Sequence, residues 1–199
     1  IALEGISQAK IYKILSCESQ RFDYHAFLCK RLAHQFDVGT FEHLVHPLVG
    51  LYRSLHRVIG HAAVFSHIRA ICNHWCTSTR FGKEAVPCRF GCGFHNDSIA
   101  HTVCCPRFWK LFSGLCRMCD FVAEEVVVFL AVRHSNINNI TSQFIVLGVH
   151  ICFLCFNQCR HNGTLTSRSI SHNLFEYTRS HLGAALLVKR IRRSGGVLV

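Results

Sequence analysis

Four side chains in the middle of the chain have the types and spacing of a metal centre: Cys88, Cys92, His101 and Cys105. Proteins bind zinc through cysteine thiolates and histidine imidazoles, and three thiolates with one imidazole complete its tetrahedron. This closed shell leaves no position for a reacting water molecule, so the pattern predicts a structural zinc ion rather than a catalytic one. Cys104 and His95 stand beside these residues and remain open as substitute ligands.

The sequence around the first two cysteines predicts an irregular segment. Pro87 and Pro106 bracket it, and Gly91 and Gly93 lie inside it. Proline lacks the N–H donor and glycine loses the most backbone entropy on ordering, so a helix through this stretch is disfavoured. The two glycines can take positive φ in a tight turn, which would let backbone N–H groups point at the thiolate sulfurs.

A short helix is predicted to carry the other two ligands. Asp97 or Ser98 suits its N-cap, and His101 and Cys105 are four residues apart, which would place them on one face. The alternative interpretation is that these cysteines are ordinary buried thiols, because free cysteine behaves as a small hydrophobe.

Helical segments are predicted to surround this centre, because apolar residues recur at helical spacing almost everywhere and clean strand alternation is hard to find. Four apolar faces are traced by Leu51, Leu55, Ile59, Ala62, Ile68, Cys72 and Trp75 after Pro47; by Trp109, Phe112, Cys116, Cys119, Ala123 and Val126 after Pro106; by Phe144, Leu147, Ile151 and Cys155, with Thr141 or Ser142 as N-cap; and by Leu174, Tyr177, Leu182, Ala185 and Leu186. The predicted fold class is mainly α, a helical scaffold with an inserted irregular zinc knuckle. Three parts are expected: a basic helical segment at 1–69, the zinc-knuckle module at 70–110, and a helical C-terminal region with a basic tail at 111–199.

The remaining cysteines and histidines are interpreted mainly as packing residues. Three groups fall at helical spacing: Cys116 with Cys119, Cys152 with Cys155 and Cys159, and Cys72 with His74 and Cys76. A redox Cys-x-x-Cys pair would stand at a helix N-terminus after a strand. Neither Cys116 with Cys119 nor Cys152 with Cys155 is predicted to stand at such a position. A second metal site formed by Cys152, Cys155, Cys159 and His161 is the alternative for one of these groups.

Charge and apolar patterning indicate the environment and the class of partner. The 199 residues carry 22 Lys and Arg against 11 Asp and Glu, a net charge of +11, which favours a polyanionic partner. These basic residues are scattered except for a cluster at 189–193. No signal peptide opens the chain and 13 cysteines fit no small disulfide framework, so an intracellular site, nucleus or cytoplasm, is expected. The longest apolar run, 144–156, is shorter than the roughly 20 residues of a membrane span and predicts a buried helix, with no membrane partner. Ile1 in place of Met leads us to expect a piece of a longer protein.

A stretch of the sequence resembles a known family. The segments ICNHWCTSTRF at 71–81, CRFGCG at 88–93, DSIAH at 97–101 and Cys105-Pro106 are together similar to the zinc-binding region of non-LTR retrotransposon reverse transcriptases. The resemblance covers about residues 70–110. It implies that Cys88, Cys92, His101 and Cys105 are the ligands and that Trp75 belongs to a supporting helix. It also implies a polymerase region upstream as a partner. Ala100 and Thr102 depart from the family pattern, which has an acidic and an aromatic residue there.

Two functions are favoured by these features, and a third, a cysteine-dependent enzyme or a nuclease, lacks a supporting motif. The first is a zinc-dependent accessory region that binds RNA or DNA, with basic residues for phosphates and Phe90 and Phe94 for stacking on unpaired bases. The basic candidates are Arg80, Lys83, Arg89, Arg107 and Lys110. The second is a structural, zinc-stapled module for protein contacts. Catalysis by this chain is not expected, because it contains no Tyr-x-Asp-Asp tetrapeptide for polymerase metals and no nuclease-like carboxylate arrangement after Cys105.

Overall fold

Helices make up the regular structure of the described part of the chain. The computed structural model describes residues 42–78, 86–118, 121–124, 140–161 and 164–193, with the single positions 26, 30, 80, 84, 128 and 131. Its helices are α1 (Glu42–Ile59), α2 (His61–Ile71), α3 (Ile99–Val103), α4 (Pro106–Cys116), α5 (Ile140–His161), α6 (Ser167–Ser180) and α7 (Leu182–Arg193). These ranges contain no β-strand, which confirms the prediction of a mainly α fold. The division at 69 and 110 stays a prediction, because most of 1–69 lies outside the described residues.

Helix α5 forms the centre of the core. It packs most extensively against α2 and also contacts α3, α4, α6 and α7. Every residue from Phe144 to Cys152 is buried, as expected for a helix that has neighbours on all sides. Among the described helices, α5 alone is long and apolar enough to cross a membrane, but 72% of its most apolar window is buried against the rest of the chain. The interpretation of 144–156 as a buried helix is therefore confirmed.

Two glycines allow the helices to pack closely. A Cβ atom at Gly148 in α5 would lie 2.4 Å from the ring of Trp109 in α4. A Cβ atom at Gly183 in α7 would lie 1.7 Å from the carbonyl oxygen of Val58 in α1. Real contacts of these kinds do not occur at such distances, so both positions need the absence of a side chain. These contacts fix α4 on α5 and the start of α7 on the end of α1.

Several predicted helix boundaries are wrong. The first helix begins at Glu42 rather than after Pro47, and Gly60, at φ 88°, separates it from α2. Thr141 and Ser142 lie buried inside α5 instead of capping it. The last predicted helix is interrupted at His181, whose extended backbone (φ −131°, ψ 93°) separates α6 from α7.

The second predicted helix and the helix expected to hold Trp75 also end earlier than the pattern indicated. Helix α4 stops at Cys116, so Ala123 lies beyond it. Helix α2 stops at Ile71, so Trp75 follows the helix instead of belonging to it. Its ring is nevertheless fully buried against Phe153 and Phe156 of α5. Trp75 therefore fixes the chain after α2 against the central helix, next to the segment that carries the cysteines.

Candidate metal centre

The structure brings the four predicted ligands together. The Sγ atoms of Cys88, Cys92 and Cys105 and a ring nitrogen of His101 all lie within 4.8 Å of one another. Two of these separations are shorter, 3.8 Å between the Sγ atoms of Cys88 and Cys105, and 3.1 Å between Cys92 Sγ and His101 Nε2. Zinc–sulfur bonds of about 2.3 Å in a tetrahedron place two sulfurs about 3.8 Å apart. The group can hold a metal ion, and the widest pair has to approach by about 1 Å to complete a regular tetrahedron.

A tight turn positions the first two ligands. The N–H of Gly91 donates to the carbonyl of Cys88 at 2.8 Å, and the N–H of Cys88 donates to the carbonyl of Phe94 at 2.8 Å. Gly91 and Gly93 have φ values of 68° and 89°, which confirms the positive φ predicted for both. In this conformation the turn closes on itself without a helix or a strand. None of the described residues between Cys72 and Ser98 lies in an α-helix or β-strand.

Two helix termini position the other two ligands. Ser98 caps α3, because its hydroxyl accepts a hydrogen bond from the N–H of His101 at 3.2 Å. Cys105 lies beyond the end of α3 and is the N-cap residue of α4, with Pro106 in the first helical position. The prediction that His101 and Cys105 share one short helix is therefore wrong. The two ligands come together because the chain turns between α3 and α4.

The turn and α4 are also joined by side chains. Arg107 of α4 donates from Nη1 to the carbonyl of Gly91 at 2.8 Å. The ring of Phe94 stacks on His101, with centroids 4.1 Å apart and planes at 13°. Phe90 lies beneath the turn against Phe108, with ring centroids 5.8 Å apart. Residues 88–94 therefore pack against His101 of α3 and against α4.

The local environment favours a thiolate at Cys88. A hydrogen bond from the Cys105 thiol lowers the pKa of Cys88 to about 4, although burial acts in the opposite direction. The Phe90 backbone N–H and His101 are further donors to the Cys88 sulfur and lower its pKa as well. The same pairing, together with burial, raises the pKa of Cys105, which holds the shared proton. Donors aimed at the sulfur of Cys88 are the arrangement that the glycine turn predicts.

Asp97 has a role that sequence reasoning missed. It is buried, and its Oδ1 accepts hydrogen bonds from the Ser78 N–H at 2.9 Å and from the Ser78 hydroxyl. Its Oδ2 lies 3.6 Å from Nε of Arg89. Asp97 therefore ties the chain after Trp75 to the turn, while Ser98 supplies the helix cap. The sequence carried no signal for this pairing, because Ser78 and Asp97 are far apart along the chain.

The residues predicted to contact nucleic acid differ in their surroundings. Arg80 and Lys110 are exposed, Phe94 is 50% exposed, and Lys83 lies outside the described residues. Arg89 and Arg107 are engaged by Asp97 and by the Gly91 carbonyl. Phe90 is 1% exposed, so its face is not open to an unpaired base, and that assignment is wrong. The other assignments stay predictions.

Most of the other cysteines are core residues. Cys116, Cys152 and Cys155 are buried, as predicted, and burial raises the pKa of Cys116 to about 12 and that of Cys155 to about 11. Cys119 lies outside the described residues. Cys76 is exposed and follows the end of α2, so the prediction that it packs in a helix is wrong.

No second metal group forms where the structure describes the chain. Cys152, Cys155, Cys159 and His161 all lie in α5, but they do not converge with one another. Cys104 and His95 do not join the first group either. Within the described ranges, the set of Cys88, Cys92, His101 and Cys105 is the one that has metal-binding geometry.

Comparisons of the chain with protein-family models, with curated proteins and with solved structures find no match.

Proposed function

We propose that this chain binds one structural zinc ion through Cys88, Cys92, His101 and Cys105. The observation that supports it most directly is the convergence of three sulfurs and one imidazole nitrogen within 4.8 Å. Soft thiolate ligands in a tetrahedral S₃N set suit Zn²⁺, whereas Mg²⁺ and Ca²⁺ take oxygen ligands. Four protein ligands leave no open position, so the ion would stabilise the fold and would not activate water.

Zinc content measured on reduced protein tests this proposal. The expected result is one zinc per chain by native mass spectrometry, and less than one in Cys92→Ser and Cys105→Ser. Cys104→Ser is the matched control, because Cys104 adjoins Cys105 and is not in the ligand group. It should keep its zinc. Reduced protein without stoichiometric zinc would refute the proposal. Loss of zinc in Cys104→Ser but not in Cys105→Ser would show that Cys104 is the ligand in place of Cys105.

We further propose that the zinc-bound chain is a nucleic-acid-binding accessory region of a retrotransposon reverse transcriptase polyprotein and is not itself catalytic. The support is the Cys-Cys-His-Cys order with its Cys-Pro ending, which carries the family resemblance, and the net charge of +11. Basic side chains that neutralise phosphates release counterions and give affinity for any polynucleotide sequence.

An alternative function has an observation of its own. Around the ligands, Arg89 and Arg107 are occupied by protein groups and Phe90 is buried, so these three side chains hold the turn together. This arrangement favours a metal centre that staples α3 and α4 and supports protein contacts without nucleic-acid binding. The two functions share the zinc site and differ in the partner.

Binding of a labelled oligouridylate, followed by fluorescence anisotropy over a salt series, separates the two functions. The accessory function predicts an association constant whose logarithm falls linearly with the logarithm of salt concentration, by about 0.7 per phosphate neutralised on a single strand. A chain that holds zinc and shows no affinity for RNA or DNA at low salt would leave the structural function in place.

A further inference from the structure

A basic groove lies away from the metal centre, where α6, α7 and the C-terminal end of α4 meet. Its volume is about 390 Å³, and it is open to solvent along one side. Four cations line it, Arg117 after α4 and Lys189, Arg192 and Arg193 on α7, over apolar contacts from Ala185 and Val188. We call this set of six residues the α7 groove.

The cations of the α7 groove have no ion-pair partner among the described acidic side chains. From 140 to 193 the sequence has seven Lys and Arg and one acidic residue, Glu176. Glu176 is occupied by Arg179 on α6, at 3.0 Å. A concave surface with one sign of charge concentrates the potential and attracts a polyanion.

One of the groove arginines is held in place by the backbone. Nε of Arg192 donates to the carbonyl of Leu115, in the last turn of α4, at 3.2 Å. This bond uses one N–H of the guanidinium and leaves its remaining N–H groups for a ligand. It also links α7 to the end of α4, so the two walls of the groove are connected by the same side chain.

The backbone at Arg117 has a conformation that is unusual for an arginine. Arg117 has φ 61° and ψ 36°, the left-handed conformation that ends α4. Glycine is the usual residue at such a position, because a Cβ atom is strained there. The Arg117 side chain is exposed, so the packing of α4 does not depend on it. Arg117 therefore combines the conformation that ends α4 with a place in the lining of the α7 groove.

We propose that the α7 groove binds the phosphate backbone of a single-stranded nucleic acid. Arginine guanidinium groups donate paired hydrogen bonds to phosphate oxygens, and the three arginines with Lys189 offer successive contacts to a chain of phosphates. A groove suits an extended polyanion better than it suits a flat anionic membrane, which would reach only its rim. This inference rests on the proposed nucleic-acid-binding function and places the main phosphate contacts on α4 and α7 instead of around the metal centre.

Removing two groove charges tests the inference against an equal loss of charge elsewhere. The full chain carrying Lys189→Gln and Arg193→Gln is compared with a control carrying Arg69→Gln and Arg168→Gln, two exposed residues of α2 and α6. Labelled oligouridylate is titrated by anisotropy over a salt series. The groove variant should bind at least tenfold more weakly, and its salt slope should fall by about 1.4, that is about 0.7 for each lost phosphate contact. The control should change neither quantity appreciably.

Arg117→Gly adds a readout that a purely structural role would not give. Glycine relieves the left-handed backbone, so this variant should melt no lower than the parent and still bind RNA more weakly. A parallel fall in melting temperature and affinity would contradict the role of Arg117 in binding.

Three other outcomes would contradict the groove inference. If the groove variant binds as the parent does while Lys110→Gln weakens binding, the proposed accessory function stands and the groove inference is wrong. If the control variant loses as much affinity as the groove variant, net charge alone explains binding and the inference is wrong. A parent chain that binds phosphatidylserine vesicles but no RNA would overturn both the groove inference and the nucleic-acid function, and zinc content would remain as predicted.

Discussion

Two buried histidines give this chain a pH-dependent stability that can be calculated. His67 in α2 is fully buried, its Nε2 lies 2.8 Å from the carbonyl of Val128, and its Nδ1 lies 2.6 Å from the hydroxyl of Tyr52. A carbonyl can only accept, so Nε2 carries the proton and Nδ1 accepts from Tyr52. A second proton on Nδ1 would take away the acceptor of the half-buried Tyr52 hydroxyl. Burial lowers the pKa of His67 to about 4, although the bond to Val128 acts in the opposite direction.

His150 in α5 is the second such group. Its Nδ1 lies 2.8 Å from the Ser66 hydroxyl, and its ring packs against Tyr177 with centroids 4.3 Å apart. Burial, with a smaller contribution from His181, lowers the pKa of His150 to about 4. Neither histidine is within the metal group, so their protonation is a property of the helical core and is separate from the metal centre.

The sign and size of the effect follow from these pKa values. An unfolded histidine takes up a proton near pH 6.5, whereas these two take theirs near pH 4. Between those values the unfolded state binds more protons, so the free energy of unfolding falls as the pH falls. At pH 5 the loss is about 2 kcal/mol for each histidine, and near pH 4 it approaches about 3 kcal/mol each. Above pH 7 these groups contribute no pH dependence. A total of about 4 kcal/mol at pH 5 is a large part of the 5–15 kcal/mol by which domains are ordinarily stable.

Urea unfolding at pH 7.5 and pH 5.0, followed by circular dichroism, checks this calculation. In the parent, the free energy of unfolding should be lower at pH 5.0 by at least about 4 kcal/mol, since protonation of the metal ligands adds to the loss. His67→Gln and His150→Gln should each reduce this difference by about 2 kcal/mol, because the ligands are the same in every variant and their contribution cancels. His172→Gln, at an exposed position of α6, is the control. A pH difference that is unchanged in both buried variants, or reduced equally in the control, would refute the reasoning.

Three further outcomes are expected. Gly183→Ala should lower the free energy of unfolding by about 1–3 kcal/mol or more, because its Cβ meets the Val58 carbonyl. Gly114→Ala in α4, with nothing within 4 Å of the new Cβ, should raise the free energy of unfolding by up to about 1 kcal/mol. Urea unfolding measures both changes. Arg117→Gly should raise the same quantity by about 0.5–1 kcal/mol, and a fall would show that its left-handed backbone is not strained. Chelation of the metal from reduced protein should accelerate amide exchange in 86–98 and leave α5 protected, and uniform loss of protection would contradict a local staple.

The sequence predicts those helices that the spacing of their apolar residues alone defines. The apolar residues of 144–155 mark α5 because this helix is buried all round. The break at Gly60 agrees with its residue type, but His181 has no sequence signal, since neither glycine nor proline stands there. The interruption is instead fixed by tertiary contacts: His181 stacks on Tyr177, and Gly183 fits against the end of α1. The second of these contacts joins residues that are distant in sequence, and periodicity contains no information about it.

The candidate site divides in the same way. Residue types, glycines and spacing indicated the four side chains that converge, because these features are local, but they left Cys104 and His95 open as substitutes. The exclusion of Phe90 from solvent by Phe108 was not available from spacing, since an aromatic residue beside a basic one fits both a core and a base-stacking surface. The pairing of Asp97 with Ser78 was hidden for a related reason, because it joins two segments that are 19 residues apart and meet only in the folded chain.

Helix α4 connects the two proposed sites physically. Its N-cap residue is the ligand Cys105, and the residue that ends it is Arg117 of the α7 groove. Its 11 residues span about 16 Å, so both ends move as one rigid element. Phe108 and Phe112 on its buried face stack on each other, and the latter also stacks on Phe144 of α5. A zinc ion that holds Cys105 would therefore also fix the orientation of the groove wall that contains Arg117. On this argument the metal supports phosphate binding without touching the nucleic acid, because it immobilises the helix whose far end meets the polyanion.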